Sequence, residues 1–219
     1  TTVHTIARPR PDLTQLAAAA AAITQASRPV IIAGGGVHYS LAEQELADFA
    51  QAFGIPVVET VAGKSSLLAD HPRYCGPIGV TGAEAANAVV RQADLVIAVG
   101  TRLEDFTTGS WTVFDEKAVF VAINAARFDA GKHRALPVVA DAREALVELG
   151  AALGDYAVDA AWREGSVTQR AALQEFVDSR TQDDGAWPPS YAQLVGLVHE
   201  SATEEDYVLT AAGGLPGEL

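Results

Sequence analysis

Three consecutive glycines, Gly34-Gly35-Gly36, stand directly behind the apolar run Pro29-Val30-Ile31-Ile32-Ala33 and ahead of a helical pattern. Glycines at the carboxyl end of a buried parallel strand let a phosphate or other polar ligand approach the backbone at a helix start. The same turn requires glycine for its geometry whether or not anything binds, so a ligand cradle and a bare turn both stay open. Arg102, Glu104 and Asp105 follow a second apolar run, Leu95-Val96-Ile97-Ala98-Val99, and form either a ligand clamp or a solvated ion pair. Lys132-His133-Arg134 is a short basic cluster, either a solvated face or an anion site.

Other chemistries find less support. The histidines, His4, His38, His71, His133 and His199, lack metal-ligand spacing such as two on adjacent helical turns, and no metal is expected. Cys75 lies beside Gly76 and Pro77 with no neighbour that would depress its pKa, which suits a packed thiol better than a nucleophile. Ser65, Ser66 and Ser110 lack the Gly-x-Ser-x-Gly elbow of serine hydrolases. Trp111 and Phe114 fit core or interdomain packing.

The elements that position these residues alternate. Leu13, Leu16, Ala20 and Ile23 recur at helical spacing behind a possible capping box, Asp12 with Gln15. After the glycines, Ser40 with Glu43 suggests a second capping box, Ala42, Leu46, Phe49 and Phe53 mark one helix face, and Gly54 suits the helix end. Ile55 to Val58 reads as a strand, followed by a long irregular stretch from Gly63 to Gly82. Thr81 with Glu84 starts a third helix, and Leu95 to Val99 suits a strand buried on both faces at the sheet centre. Val119 to Ile123 and Val138 to Ala140 supply further strands, and Asp141 with Glu144 caps the helix carrying Leu146, Leu149 and Leu153. The expected fold is α/β: a doubly wound, mostly parallel, Rossmann-like sheet of about six strands, with ligands at the strands' carboxyl ends.

Beyond Gly154 the pattern changes. One helix with Trp162 and Phe176 leads into the breaker-rich segment Thr181 to Pro189, then a helix from Ser190 and a strand from Tyr207 to Thr210. The expected division is 1–155, a connector 156–189, and the start of a second unit, 190–219. The 219 residues contain no Met and end on Gly213-Gly214-Leu215-Pro216-Gly217-Glu218-Leu219, the pattern of a fragment. A net charge of −13 disfavours nucleic acid and anionic membranes and directs attention to small molecules. A single cysteine excludes an internal disulfide, no apolar run reaches membrane-spanning length, and no secretory signal is visible, which together suit a cytoplasmic setting.

Arg28-Pro29-Val30 through Gly36, the loop from Gly63-Lys64 to His71-Pro72 and Gly76, Gly100-Thr101-Arg102, and Ala140-Asp141 resemble, in order and spacing, the central domain of thiamine-diphosphate-dependent enzymes of the acetolactate synthase type. Arg102 to Trp111, Phe128 to Arg134 and Ala211 to Leu219 resemble more narrowly those members that hydrolyse a cyclic dione in inositol catabolism. The resemblance implies an oligomeric parent of three α/β domains that uses thiamine diphosphate and magnesium. A pyrimidine-binding domain with a catalytic glutamate would precede Thr1, and a diphosphate-binding domain would begin near Ser190, with its Gly-Asp-Gly metal motif beyond Leu219. The chain alone is then expected to be inactive.

In some relatives the central domain holds FAD or ADP. The resemblance carries that role to Gly34, Gly35, Gly36, Gly100, Arg102 and Asn124, with Asp141 at the far side, and adds Gly213 and Gly214 as cofactor-binding glycines of the next domain. The glycines would admit the ligand, Arg102 would pair with phosphate, and Asn124 would hydrogen-bond ribose or adenine. Asn124 departs from the acidic residue common in nucleotide-binding relatives, and other relatives keep the domain purely as a scaffold.

Overall fold

A computed structural model describes residues 6–185, 187–203 and 205–209. They fall into two compact units, Thr1–Arg170 and Ala171–Leu219. The first contains a six-stranded sheet in the order β3-β2-β1-β4-β5-β6, every pair parallel. Its strands are β1 (Pro29–Ala33), β2 (Val57–Glu59), β3 (Tyr74–Pro77), β4 (Leu95–Val99), β5 (Val119–Ile123) and β6 (Leu136–Val138). The expected doubly wound α/β class is what forms, and the order reverses between β1 and β4, where such sheets bring their strand-end loops together.

Every residue of β1, β2 and β4 is buried, which explains why the two longer ones read as continuous apolar runs. Helix α1 (Leu13–Gln25) buries Leu16, Ala19 and Ile23, and the Asp12 carboxylate caps it by accepting from the Thr14 and Gln15 amides. The Gln15 side chain does not complete a capping box; its Oε1 accepts from Val139 N at 2.9 Å and ties the helix to the end of β6. After β1 come a short turn of helix, α2 (Gly36–Ser40), and α3 (Glu43–Phe53), ended by Gly54 at φ 72°. α4 (Glu84–Gln92) leads into β4, α5 (Asp105–Thr108) and α6 (Arg127–Ala130) are single turns, and α7 (Ala142–Leu153) packs with α1 and α3. Asp141 caps α7 as expected, accepting from Arg143 N and Glu144 N, and pairs with Arg8 at 2.9 Å.

Several expectations require correction. Ser40 does not cap α3: it closes α2, and its hydroxyl accepts from Ala142 N, the first amide of α7, at 3.2 Å, so α3 begins behind Ala42 without a side-chain cap. α4 likewise starts at Ala83 rather than on a Thr81 box. The stretch read as irregular contains the edge strand β3, which the breakers around Tyr74-Cys75-Gly76-Pro77 conceal. The last strand of the sheet is Leu136–Val138, two residues earlier than its apolar signal.

Helix α8 (Ala160–Thr181) begins within the first unit, where Val158 and Trp162 join the core and Trp162 Nε1 donates to Pro29 O at 2.9 Å. The first compact unit extends to Arg170. In the second unit, α9 (Tyr191–Ser201) opens on a Ser190–Gln193 capping box. Over 207–209 the strand expected from Tyr207 does not form, and Thr210, Gly213 and Gly214 lie outside the described residues. Among the described residues no helix is long and apolar enough to cross a membrane.

Candidate functional site

Because all six strands run parallel, the loops after β1, β2, β4 and β5 gather on one edge of the sheet. Gly34 and Gly36 are brought against Gly100 there. A Cβ on Gly34 would lie 2.5 Å from Gly100 O, and one on Gly36 would lie 2.5 Å from Gly100 Cα. Gly35 faces the other way, toward Ala62 in the single 3-10 turn Val61–Gly63. A Cβ on Gly63 would meet Ala33 O at 2.2 Å. Three strand-end loops thus meet backbone to backbone, and the space that glycine leaves is filled by the protein's own chain.

The hydrogen bonds follow suit. Gly34 N donates to Val99 O, Gly36 N to Gly100 O and Gly100 N to Ile123 O, each at 2.9 Å, so these amides already have acceptors. Asn124 is engaged at both ends of its amide: Nδ2 donates to Thr101 O at 3.2 Å, and Oδ1 accepts from Ala126 N at 2.9 Å. Arg102 stands at the rim, two-thirds exposed, with Glu104 at 3.5 Å and Asp129 at 3.7 Å. Lys132 reaches the same Asp129 at 2.6 Å and lies over the Phe128 ring, 4.7 Å from its centroid. The edge is a network of internal contacts, with the Arg102 guanidinium exposed at its rim.

Sequence reasoning missed the polar cluster beside this edge. Glu59, at the end of β2, is only 5% exposed and accepts from Tyr74 Oη at 2.7 Å and Ser65 N at 2.9 Å. Burial raises its pKa, against the pull of those hydrogen bonds and the Lys64 charge, and burial beside Glu59 also drives the Tyr74 phenol up. His38 sits between two acceptors, with Nδ1 2.8 Å from Glu43 Oε1 and Nε2 2.9 Å from Lys64 O. The available signal was an acidic residue closing the apolar run Val57-Val58-Glu59, since a carboxylate in a buried strand needs donors. Cys75 is a packed thiol, its pKa pushed up to about 12 by burial.

Burial pulls the His38 pKa down, but the Glu43 hydrogen bond and the Lys64 carbonyl outweigh it and leave the value raised, because only the doubly protonated ring donates to both acceptors. A raised folded-state pKa stabilises the fold fully below the ordinary histidine value, and that contribution is lost as pH rises through the raised one. Urea midpoints measured from about pH 5 to 8 should therefore fall more steeply for the unaltered chain than for His38→Gln. Parallel profiles would exclude the raised value.

A buried parallel sheet whose strand-end loops interlock through glycine defines a Rossmann-like α/β domain, and comparison with known proteins assigns it. Residues 16–149 match the family described as thiamine pyrophosphate enzyme, central domain, and the chain belongs to that family. It is 40% identical to the 3D-(3,5/4)-trihydroxycyclohexane-1,2-dione hydrolase of Bacillus velezensis and 39% identical to hydrolase 2 of that name from Bacillus cereus, over 99% of this chain in each case. The chain spans 38% of the length of each relative. A solved structure assigned to a thiamin diphosphate-dependent enzyme of Mycobacterium smegmatis aligns with a TM-score of 0.59 and 25% identity, over 71% of this chain and 30% of that one.

Among the described residues no three His, Cys, Asp or Glu side chains gather as metal ligands. A nucleotide pyrophosphate would need the glycine cradle that the loops after β2 and β4 already fill.

Proposed function

We propose that this chain serves as the central domain of a cytoplasmic, oligomeric, thiamine-diphosphate-dependent and magnesium-dependent hydrolase that cleaves a carbon-carbon bond of a trihydroxycyclohexane-dione in inositol catabolism, and that its own role is to hold the flanking pyrimidine- and diphosphate-binding domains in register. The names of the relatives support the substrate class. The observation that carries the scaffolding role is the rim of the strand-end edge, where successive loops each expose an apolar side chain: Tyr39 after β1, Val61 after β2, Val80 after β3, Phe106 after β4 and Phe128 after β5, with Tyr39 87% and Phe128 79% exposed. Large apolar groups left in water on consecutive loops suit an edge that other domains cover.

The test is turnover. The purified chain, supplied with thiamine diphosphate, magnesium and the dione, is expected to open no ring, because the donors for metal and cofactor lie elsewhere in the enzyme. Ring opening above the buffer rate would place the chemistry on this chain and remove the scaffolding assignment. A second function is favoured by one observation, the exposed Arg102 guanidinium: FAD or ADP held along Gly34, Gly35, Gly36, Gly100 and Asn124, with phosphate on Arg102, as in an acetolactate synthase-like or oxo-acid decarboxylase enzyme.

A further inference from the structure

Away from the strand-end edge, three arginines converge with no carboxylate in salt-bridge contact among the described residues. Arg73 lies immediately before β3, its carbonyl accepting from Val57 N at 2.8 Å and its amide donating to His71 Nδ1 at 3.1 Å. The buried Cys75 thiol, two residues on, faces Ser166 O of α8 at 3.8 Å, which seats that helix beside the edge strand. Arg163, Ser166 and Arg170 share one helical face at spacings of three and four residues, so the contact brings Arg163 and Arg170 to either side of it. Arg170 Nη2 donates to Ala69 O at 3.1 Å, and the Arg163 stem passes Gly54.

Arg73 Nε and Nη1 are buried and have no hydrogen-bond partner. Among the described residues, no carboxylate pairs with Arg73, Arg163 or Arg170. Burial, then the charges of Arg163 and Arg170, lower the Arg73 pKa against the opposing influence of Cys75; burial first, then Arg73 and Arg170, lower that of His71 against Asp70. In a chain of net charge −13, acidic partners are plentiful, yet the nearby Asp70 forms no salt bridge with any of the three arginines. A buried donor without an acceptor is costly and marks a place where an ion belongs.

We propose that Arg73, Arg163 and Arg170 form a binding site for a small phosphate-type oxyanion between the start of β3 and α8. Guanidinium forks match the paired oxygens of such an anion, and three of them supply more charge than a single carboxylate would neutralise. Arg163 is exposed and Arg170 half-buried, so the anion can reach them from solvent. The shared chemistry is the phosphoryl group, carried either by inorganic phosphate or by a phosphorylated small molecule.

Thermal unfolding of the chain at constant ionic strength tests this site, with sodium chloride exchanged for inorganic phosphate in one series and for glycerol 3-phosphate in another. The midpoint is expected to rise by about 3 to 6 °C when the anion reaches ten times its dissociation constant. The rise should disappear in the double variant Arg163→Gln/Arg170→Gln, whose far-ultraviolet circular dichroism and cooperative melt in chloride show that it folds. A larger response to inorganic phosphate assigns the site to the free ion, and a larger response to the ester assigns it to a phosphorylated metabolite. Identical midpoints in chloride and in both phosphates, or a rise that survives in the double variant, would overturn the site.

Discussion

Replacing Gly100 by alanine should destabilise the chain by about 3 to 5 kcal/mol, a large share of the 5 to 15 kcal/mol typical of a domain. Two effects add. Gly100 has φ 61°, a left-handed conformation disfavoured for any residue with a Cβ, and its new methyl would lie 2.6 Å from Gly36 Cα. The obstacle is backbone, so no rotamer change relieves it. Gly165 supplies the control: it lies inside α8 with nothing within 4 Å of where a methyl would stand, and Gly165→Ala should add about 0.5 to 1 kcal/mol through helix propensity alone. Denaturant midpoints for the two variants should move in opposite directions. An unchanged midpoint for Gly100→Ala would mean that the loops after β1 and β4 do not interlock.

The second large effect belongs to Glu59. Truncation to alanine should cost about 2 to 4 kcal/mol, because it leaves the Tyr74 hydroxyl and the Ser65 amide without their acceptor at a buried position. The two losses are coupled, so Glu59→Ala combined with Tyr74→Phe should cost less than the sum of the single variants, by roughly 1 kcal/mol. The pH dependence gives a second readout. A raised carboxyl pKa means that the folded state binds its proton more tightly than the unfolded chain, so stability declines as pH climbs from the ordinary carboxylate value through the raised one. Glu59→Ala should lose that slope. Strict additivity in the double variant would place Tyr74 and Glu59 out of contact.

The central strands were legible because burial on both faces leaves only apolar residues, as in Val30-Ile31-Ile32 and Val96-Ile97-Ala98. The edge strand β3 was not, since its residues include Gly76 and Pro77 and its pairing with β2 shifts register between Val57 and Glu59. Capping showed the same split. Asp12 and Asp141 act on the next turn of their own chain and could be read locally, whereas Ser40 is drawn away by Ala142, which lies 102 residues further on. At the candidate site, the sequence marked Gly34, Gly35, Gly36 and Gly100 as places of close approach. What approaches is a tertiary fact: Gly100, Ala62 and Ala33 come from three different strand ends. Glu59 and His38 escaped notice for the same reason, because their partners lie on other loops.

As proposed above, this domain acts as a scaffold and is expected to hold no nucleotide of its own. Calorimetric titration of the purified chain with FAD and with ADP, repeated on Arg102→Ala, tests it most directly. The expected result is no stoichiometric heat at the strand-end edge, and thus no difference between the unaltered chain and Arg102→Ala. Stoichiometric binding of either nucleotide that Arg102→Ala abolishes would contradict the claim and make the glycine edge a working cofactor site.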